Sequence, residues 1–229
     1  GSEHITWLLD WSDRNTAVHF GDGAGAVVVE ESKDHSEGER YSFVNGMRSD
    51  KLDILEIPNF GSAMDRFNPD EAARVHWTFD GPEIFKGGIR AMANSSSEVI
   101  EKSGLTKEDI DILIPHQANL RIVEGLEKSL KLPNATTIKK VHKYGNTSAA
   151  SIPTALVDAL EAGEIKGGET AVFTAVGAGL SWGACALRLG ERTTPINTSD
   201  AKLPDFDGKA VDTIRKAIEY QIPEKKDLI

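Results

Sequence analysis

From Pro82 onward, apolar positions alternate between helix-like and strand-like spacing. Apolar residues three and four apart predict a helix over 82–102, and the apolar run 110–114, which stops at Pro115, predicts a short buried strand. The same reasoning predicts helices over 118–130, 149–161 and 208–220, and strands over 136–142, 170–176 and 180–189. We expect a mainly parallel sheet covered by helices, with an antiparallel strand at its end, which is an α/β fold.

The first 81 residues have a weaker pattern. Short strands are predicted at 16–20 and 26–30 around the glycine cluster 21–25, and further along at 41–47, 52–57 and 75–79. Because a strand and not a helix follows the glycine cluster, we interpret the cluster as a tight turn and not as a dinucleotide-binding fingerprint. The segments 59–71 and 191–207 are predicted to be irregular, and 223–229 to be frayed.

Composition narrows the class of protein. The 229 residues are 39% hydrophobic and 27% charged, which is typical of a globular protein, and the net charge of −10 argues against general nucleic-acid binding. The chain start resembles no signal peptide, and no apolar run approaches the roughly 20 residues that span a bilayer, so we expect no membrane association. A single cysteine cannot form an intramolecular disulfide, which favours a cytoplasmic location.

Polar groups follow three of the predicted strands. His116 comes directly after the strand that stops at Pro115, Asn146 lies one helix and one strand further on, and the turn 177–179 follows the next strand. The carboxyl ends of neighbouring parallel strands meet at one edge of a sheet, so these groups are expected to converge. Hydrogen-bond donors that converge on one point stabilise a developing oxyanion, which suits acyl transfer or enolate chemistry.

The sequence offers no clear nucleophile for such a site. Cys185 lies inside the last predicted strand and is interpreted as a buried structural cysteine. Ser148 and Ser151 follow Asn146 closely, but helix capping explains them better. We therefore expect a site that handles an acyl group without its attacking group.

Three sequence segments carry a family resemblance. They are IPHQANLRI at 114–122, YGNTSAAS at 144–151 and the glycine turn with Trp182 at 177–183, and the segments 13–14 and 20–26 match the same family. The chain resembles β-ketoacyl-(acyl carrier protein) synthase III over about residues 1–190. The resemblance implies a thiolase-like fold in α/β/α layers, with a mixed, mostly parallel sheet.

The resemblance also implies a division of the chain. Residues 1–31 would be the remnant of the N-terminal thiolase half and 32–81 an irregular connector, while 82–190 would form the C-terminal half and 191–229 a tail with an amphipathic helix.

The activity that the resemblance implies is an acyl transfer of fatty-acid biosynthesis. Members of the family perform a decarboxylative Claisen condensation of an acyl-CoA with malonyl-acyl carrier protein, which gives 3-oxoacyl-acyl carrier protein. CoA and the phosphopantetheine of the carrier protein serve as substrate carriers, and neither a cofactor nor a metal is expected. A homodimer is expected.

The resemblance implies catalytic roles for individual residues of this chain. His116 and Asn146 would donate hydrogen bonds to the malonyl thioester carbonyl and stabilise the enolate. The backbone N–H of Ala178 would contribute to a second oxyanion hole, for the acyl-enzyme carbonyl.

Binding roles are implied in the same way. Arg14 would meet the adenine end of CoA, while Asn119 and the backbone at Gly81 would contact its pantetheine arm. Lys86 and Arg121 match the basic patch that docks the acidic carrier protein; Lys128, Lys131 and Lys139 extend it or are simply solvated charges.

The chain departs from the family in its nucleophile. The family's acyl-accepting cysteine lies upstream of the position that matches Gly1, and Cys185 does not align with it. We therefore expect this chain to be inactive alone and to need the N-terminal half of the same enzyme or a partner chain. Ala178 and Leu180 also differ from many relatives, which leaves the acyl chain length open.

Two alternatives remain at this point. The chain could be a non-catalytic subunit that binds acyl groups or carrier protein, an interpretation that the missing nucleophile favours and the intact His116 and Asn146 oppose. It could instead be a cysteine hydrolase that uses Cys185 with those two residues, which an unreactive thiol would exclude.

Overall fold

A computed structural model describes residues 1–29, 31–50, 52–57, 78–195, 197, 199–202, 205 and 207–221. The predictions for 59–71, 75–77 and 223–229 lie outside the described residues, as does part of 191–207. The strands are β1 (Ser2–Glu3), β2 (Gly23–Ala24), β3 (Glu39–Met47), β4 (Leu55–Glu56), β5 (Thr78–Phe79), β6 (Ile112–Pro115), β7 (Thr136–Thr137), β8 (Thr170–Gly177) and β9 (Ser181–Arg188). The α-helices are α1 (Arg14–Ala17), α2 (Gly81–Lys102), α3 (Leu120–Leu130), α4 (Val141–Tyr144), α5 (Ser151–Glu161) and α6 (Ala210–Gln221). Short 3-10 helices occupy Ile5–Leu8, His35–Glu37, Leu52–Ile54, Lys107–Asp109 and Ser148–Ala150.

The main sheet has the order β3-β9-β8-β6-β7. β6 runs parallel to both β7 and β8, whereas β9 is antiparallel to β8 and to β3. This arrangement confirms the predicted α/β class and the antiparallel direction of β9. The prediction of a mainly parallel sheet that ends at this strand is wrong, because β3 pairs beyond β9 and two of the four pairings between the described strands of this sheet are antiparallel. Two further pairs, β1 with β2 and β4 with β5, lie outside this sheet.

Apolar clusters cover both faces of the main sheet. On one face, α2 and α3 pack against the sheet through residues that include Met92, Val99, Leu113, Leu126, Val172 and Ala186. On the other face, α5 packs through Ala155 and Ala159 against Ile112, Ile114 and Ala171. β6 is buried along its whole length because it contributes side chains to both clusters, which explains its continuous apolar run.

The ends of α2 follow from local chemistry. The Asp80 side chain accepts a hydrogen bond from the backbone N–H of Glu83 at 3.1 Å, and Pro82 occupies the first turn, where no N–H is needed. Ser103 ends the helix, and Gly104 follows at a φ of +69°, a left-handed conformation that glycine adopts without strain. The predicted helix over 82–102 is confirmed to within one residue.

Predicted strands fail at four places. Residues 26–29 form no strand, and the glycine cluster predicted to be a turn contains β2, which pairs with β1. Residues 52–54 form a 3-10 helix, and only 55–56 are a strand there. Residues 14–17 form α1, because the Asp13 carboxylate accepts the Asn15 N–H at 2.9 Å and caps a helix in spite of the β-branched residues nearby. The strand predicted over 136–142 ends at Thr137, and α4 begins at Val141.

Two helices begin two residues later than predicted. α3 begins at Leu120, not at 118, because Asn119 is its N-cap, with Oδ1 accepting the Ile122 N–H at 2.8 Å. α5 begins at Ser151, with Ala150 at its N-cap position and no side-chain cap. The predicted capping role of Ser148 is therefore wrong. None of the described helices combines the length and the apolar composition that a bilayer crossing requires.

Candidate active site

His116 is held at the carboxyl end of β6 by the neighbouring strand. Its backbone N–H donates to the Thr174 carbonyl of β8 at 2.7 Å. Its imidazole Nδ1 lies 2.6 Å from the Ser151 hydroxyl at the start of α5. Burial disfavours the charged imidazolium and lowers the pKa of His116 from 6.5 to about 4, so the ring is neutral at pH 7.

Asn146 is fixed by a bridge to the segment before β2. Its N–H donates to the His19 carbonyl at 2.8 Å, and its carbonyl accepts the Gly21 N–H at 3.0 Å. The side-chain Oδ1 accepts the Ser148 N–H at 2.9 Å. Because the acceptor end of the amide is occupied, the donor end, the NH₂ group, is left for the cavity.

Both side chains line one cavity of about 480 Å³. The glycine turn contributes Gly177 and Ala178, so the three predicted groups do meet at one place, although Asn146 follows α4 and not the end of a strand. Apolar side chains form much of the remaining wall: Ile5, Leu55, Phe79, Ile84, Ile122, Ile152, Val176, Leu180 and Trp182. An apolar wall around a few donors suits an acyl chain and an oxyanion, because donors act most strongly where water is excluded.

The Gln117 side chain connects the end of β6, which carries His116, to the segment that leads to Asn146. It is 2% exposed, and its amide nitrogen donates to the carbonyls of Pro115 at 2.6 Å and Ile138 at 3.2 Å. Its Oε1 accepts the Lys140 N–H at 2.8 Å. This role was not predicted from the sequence, where the available signal was a polar residue directly after His116, at the end of a fully buried strand.

Charged side chains connect the α4 region, which precedes Asn146, to the α5 region, which follows it. Lys140, 8% exposed, places its Nζ 2.7 Å from Glu164 and 3.4 Å from Asp158, and the hydrogen bond to Glu164 raises the pKa of Lys140. Asp158 also pairs with Lys143 and accepts a hydrogen bond from the Tyr144 hydroxyl at 3.1 Å. These contacts restrain the loop that carries Asn146.

The predicted CoA-contacting residues lie in two neighbouring cavities. Arg14 and Gly81 line a second cavity of about 410 Å³. His19 and Phe79 line both cavities, and their rings stack with centroids 6.5 Å apart. Asn119 lines the first cavity while it caps α3.

The predicted docking residues lie outside both cavities. Lys86 on α2 and Arg121 on α3 are exposed, next to the exposed apolar side chains of Phe85 and Leu120. The structure therefore keeps them apart from the two donors.

Cys185 is not part of the site. It lies in β9 opposite Phe173 and Phe43 and does not line the cavity that holds His116. It is half-buried, whereas the sequence predicted a buried cysteine. Burial raises the pKa of its thiol, which lowers the thiolate fraction. Within the described residues, no group of three His, Cys, Asp or Glu side chains could hold a metal ion.

The two serines near Asn146 do not cap α5, which corrects the interpretation from sequence. Ser148 supplies its backbone N–H to Asn146, and the hydroxyl of Ser151 contacts His116. A local hydrogen bond thus brings Ser148 into the site, and a tertiary contact brings Ser151 into it.

Two family models match this chain. The model described as 3-oxoacyl-(acyl-carrier-protein) synthase III C terminal covers residues 100–189, and the model described as 3-oxoacyl-(acyl-carrier-protein) synthase III covers residues 1–45. The chain belongs to the 3-oxoacyl-(acyl-carrier-protein) synthase III family. The matched segments contain both donors, the glycine turn and Arg14.

Curated proteins and solved structures agree with this family. The chain is 46% identical over 222 residues to beta-ketoacyl-(acyl-carrier-protein) synthase III 2 of Vibrio cholerae, a match that covers 96% of this chain and 60% of the relative. It is 47% identical over 190 residues to beta-ketoacyl-(acyl-carrier-protein) synthase III of Bacillus pumilus, covering 83% of this chain and 56% of the relative. The crystal structure of 3-oxoacyl-(acyl carrier protein) synthase III from Pseudomonas aeruginosa superposes with a TM-score of 0.75 at 34% identity, over 85% of this chain and 58% of that one. The predicted thiolase-like fold is thereby confirmed, and the chain spans about 60% of the length of the relatives that it matches.

Proposed function

We propose that this chain carries the enolate-stabilising part of a synthase III active site in fatty-acid biosynthesis. The reaction is the decarboxylative Claisen condensation of an acyl-CoA with malonyl-acyl carrier protein. When the malonyl carboxylate leaves as CO₂, its bonding electrons move to the α-carbon and the thioester oxygen. His116 and Asn146 donate hydrogen bonds to that oxygen as its charge grows.

One observation carries this proposal. His116 and Asn146 line the same cavity, and each has its other polar side-chain atom engaged by the protein, Nδ1 with Ser151 and Oδ1 with Ser148. Donors fixed before the reaction do not have to reorganise as charge develops. The alternative of a purely binding subunit does not account for two donors held in this way.

We assign the substrates to the two neighbouring cavities. We place the adenine end of CoA near Arg14, and its pantetheine arm past Gly81, the His19–Phe79 stack and Asn119 to the donors. The N–H of Ala178 would serve the acyl-enzyme carbonyl. Lys86 and Arg121, both exposed, would attract the acidic carrier protein.

The attacking cysteine would come from the N-terminal half of the same enzyme or from a partner chain. Exposed apolar residues favour such a partner, since Val28 and Val29 are 94% and 89% exposed and Phe43 on β3 is 58% exposed. The reactive cysteine, the cytoplasmic location and a homodimeric assembly belong to this proposal, as does the division at residues 31, 81 and 190.

A reconstituted condensation assay tests the proposal. This chain is combined with the cysteine-bearing N-terminal segment of a relative, and acyl-CoA and malonyl-acyl carrier protein are supplied. We expect 3-oxoacyl-acyl carrier protein to form, and His116→Ala to lower kcat about 100-fold to 1,000-fold, the usual loss for one oxyanion donor. Reconstituted activity that His116→Ala leaves intact would refute the proposal.

A further inference from the structure

Ser151 has a hydroxyl that neither helix capping nor the proposed chemistry explains. The residue is 2% exposed and opens α5, yet its Oγ contacts two groups at the end of β6. Nδ1 of His116 lies 2.6 Å away, and the backbone N–H of Gln117 donates to Oγ at 3.3 Å. The hydroxyl therefore bridges the start of one helix and the loop that carries His116.

Counting protons decides the direction of the shorter bond. A backbone N–H only donates, so Oγ accepts from Gln117 and keeps one hydrogen to give. Among the residues that the structure describes, His116 Nδ1 is the acceptor within reach of that hydrogen. The hydroxyl donates to Nδ1, and Nδ1 is therefore the unprotonated nitrogen.

The neutral ring then carries its proton on Nε2. Burial keeps His116 uncharged at pH 7, so one of its two ring nitrogens is protonated and the other is not. In the part of the chain that the structure describes, no protein group hydrogen-bonds Nε2, and the ring lines the cavity. Nε2–H is thus the free donor, whereas the opposite tautomer would turn a lone pair toward a developing negative charge.

We propose that Ser151 is a positioning residue whose hydroxyl fixes His116 in the Nε2-protonated tautomer, so that a donor faces the cavity. The consequence for catalysis rests on the proposed function, but the tautomer itself does not. The Ser151 hydroxyl thereby couples the first turn of α5 to the chemistry at the end of β6.

Nitrogen NMR of histidine-labelled protein tests the tautomer directly. The six histidines are resolved by their ring ¹⁵N shifts, and His116 is assigned by the signals that disappear in His116→Ala. We expect a pyridine-like Nδ1 and a pyrrole-like Nε2 from pH 5 to pH 8 in the unmodified chain. A pyrrole-like Nδ1, or two averaged shifts, would overturn the proposal without any variant of Ser151.

Variants test what the hydroxyl does. Ser151→Ala should let the Nδ1-protonated form appear, and Ser151→Cys, which keeps a weak donor, should restore part of the tautomer bias. The matched control is Thr154→Val, which removes a hydroxyl bound to the carbonyls of Ala150 and Ser151 one turn later on α5. The control should leave the shifts of His116 unchanged, and unchanged shifts in Ser151→Ala would overturn the proposal.

Kinetics separates this inference from the proposed function. In the reconstituted enzyme, Ser151→Ala should lower the rate of malonyl decarboxylation about tenfold with KM unchanged, by analogy with the low end of the loss when the outer hydrogen-bond partner of a metal-ligating histidine is removed. A full rate in Ser151→Ala, with the rate lost in His116→Ala, would overturn the positioning role alone. A full rate in His116→Ala would refute the proposed function, while the ¹⁵N shifts would still decide the tautomer.

Discussion

At the scale of single residues, each of the two donors has one polar atom held by the protein and one left for the cavity. Ser148 holds Oδ1 of Asn146 through a backbone N–H, and Ser151 holds Nδ1 of His116 through a hydroxyl. Neither donor is charged at pH 7. The site can therefore stabilise negative charge without the cost of burying a cation.

Burial of His116 makes folding depend on pH. The unfolded chain takes up this proton near a pKa of 6.5, whereas the folded chain takes it up only near about 4. Between these values the unfolded state binds more protons, so the free energy of unfolding falls as the pH falls, by about 3 kcal/mol in total from this group. Above pH 7 both states are neutral there and the contribution vanishes.

Denaturant titrations of the unmodified chain and His116→Gln at pH 7 and pH 4 measure this contribution. The glutamine variant should lose about 3 kcal/mol less stability over that range, because other titrating groups are common to both proteins. Equal losses in the two proteins would show that His116 titrates normally.

At the scale of elements, the site depends on how the end of β6 is fastened to the segment after β7. Gln117 makes this connection with three hydrogen bonds, to Pro115, Ile138 and Lys140. The segment it holds leads through α4 to Asn146. The side-chain amide of Gln117 hydrogen-bonds to neither donor side chain, yet it helps to set the distance between His116 and Asn146.

Replacing Gln117 tests that connection. Gln117→Met keeps the volume but leaves buried backbone groups without partners, and we expect the free energy of unfolding to fall by roughly 3 kcal/mol. Lys139→Met is the matched control, since Lys139 pairs with Glu127 at the surface, with side chains 34% and 42% exposed, and such pairs contribute about 0–1 kcal/mol. Similar losses in the two variants, measured by urea titration, would contradict the role given to Gln117.

Regular elements with a continuous pattern were predictable from sequence. α2, β8 and β9 appear close to their expected bounds. The expectation that His116, Asn146 and Ala178 converge is met by the shared cavity, although Asn146 follows α4 and not the predicted strand. Those elements are set by burial, which leaves a period in the sequence.

The failures at α1 and at the start of α3 reflect local caps, whereas those after β7 and at Ser151 have a common cause in long-range contacts. After β7, the Lys140 N–H bonds to the side chain of Gln117 and not to a neighbouring strand, so the predicted strand stops. Ser151 reaches His116 across 35 positions, and Asn146 bonds to His19 across a still longer separation. Contacts between residues so far apart leave no periodic pattern in the sequence. The family resemblance therefore identified the donors, whereas the residues that hold them could be identified only in the structure.

At the scale of the whole molecule, this chain provides a donor site and presents unpaired apolar surface. Val27, Val28 and Val29 are largely exposed after β2, and Met47 is 75% exposed at the end of β3. Its single cysteine lies elsewhere in the sheet, so a nucleophile from another segment is the arrangement consistent with the proposed reaction.

The thiol of Cys185 should accordingly be inert. Burial raises its pKa, so alkylation by iodoacetamide at pH 7.5 should be slow in the folded chain and should accelerate when the chain is unfolded in urea. In the reconstituted enzyme, Cys185→Ala should keep the full rate of condensation. Rapid alkylation of the folded chain together with loss of activity in Cys185→Ala would revive the cysteine-hydrolase interpretation.

The release of CO₂ from malonyl-acyl carrier protein by Asn146→Asp in the reconstituted enzyme tests the central claim most directly. Aspartate keeps the shape of Asn146 and an oxygen for the Ser148 N–H, but it presents a second oxygen to the cavity where the amide presented a donor. If the donor stabilises the enolate, the rate of CO₂ release should fall at least about 100-fold while the fold is retained. A variant that releases CO₂ at the rate of the unmodified enzyme would contradict the account.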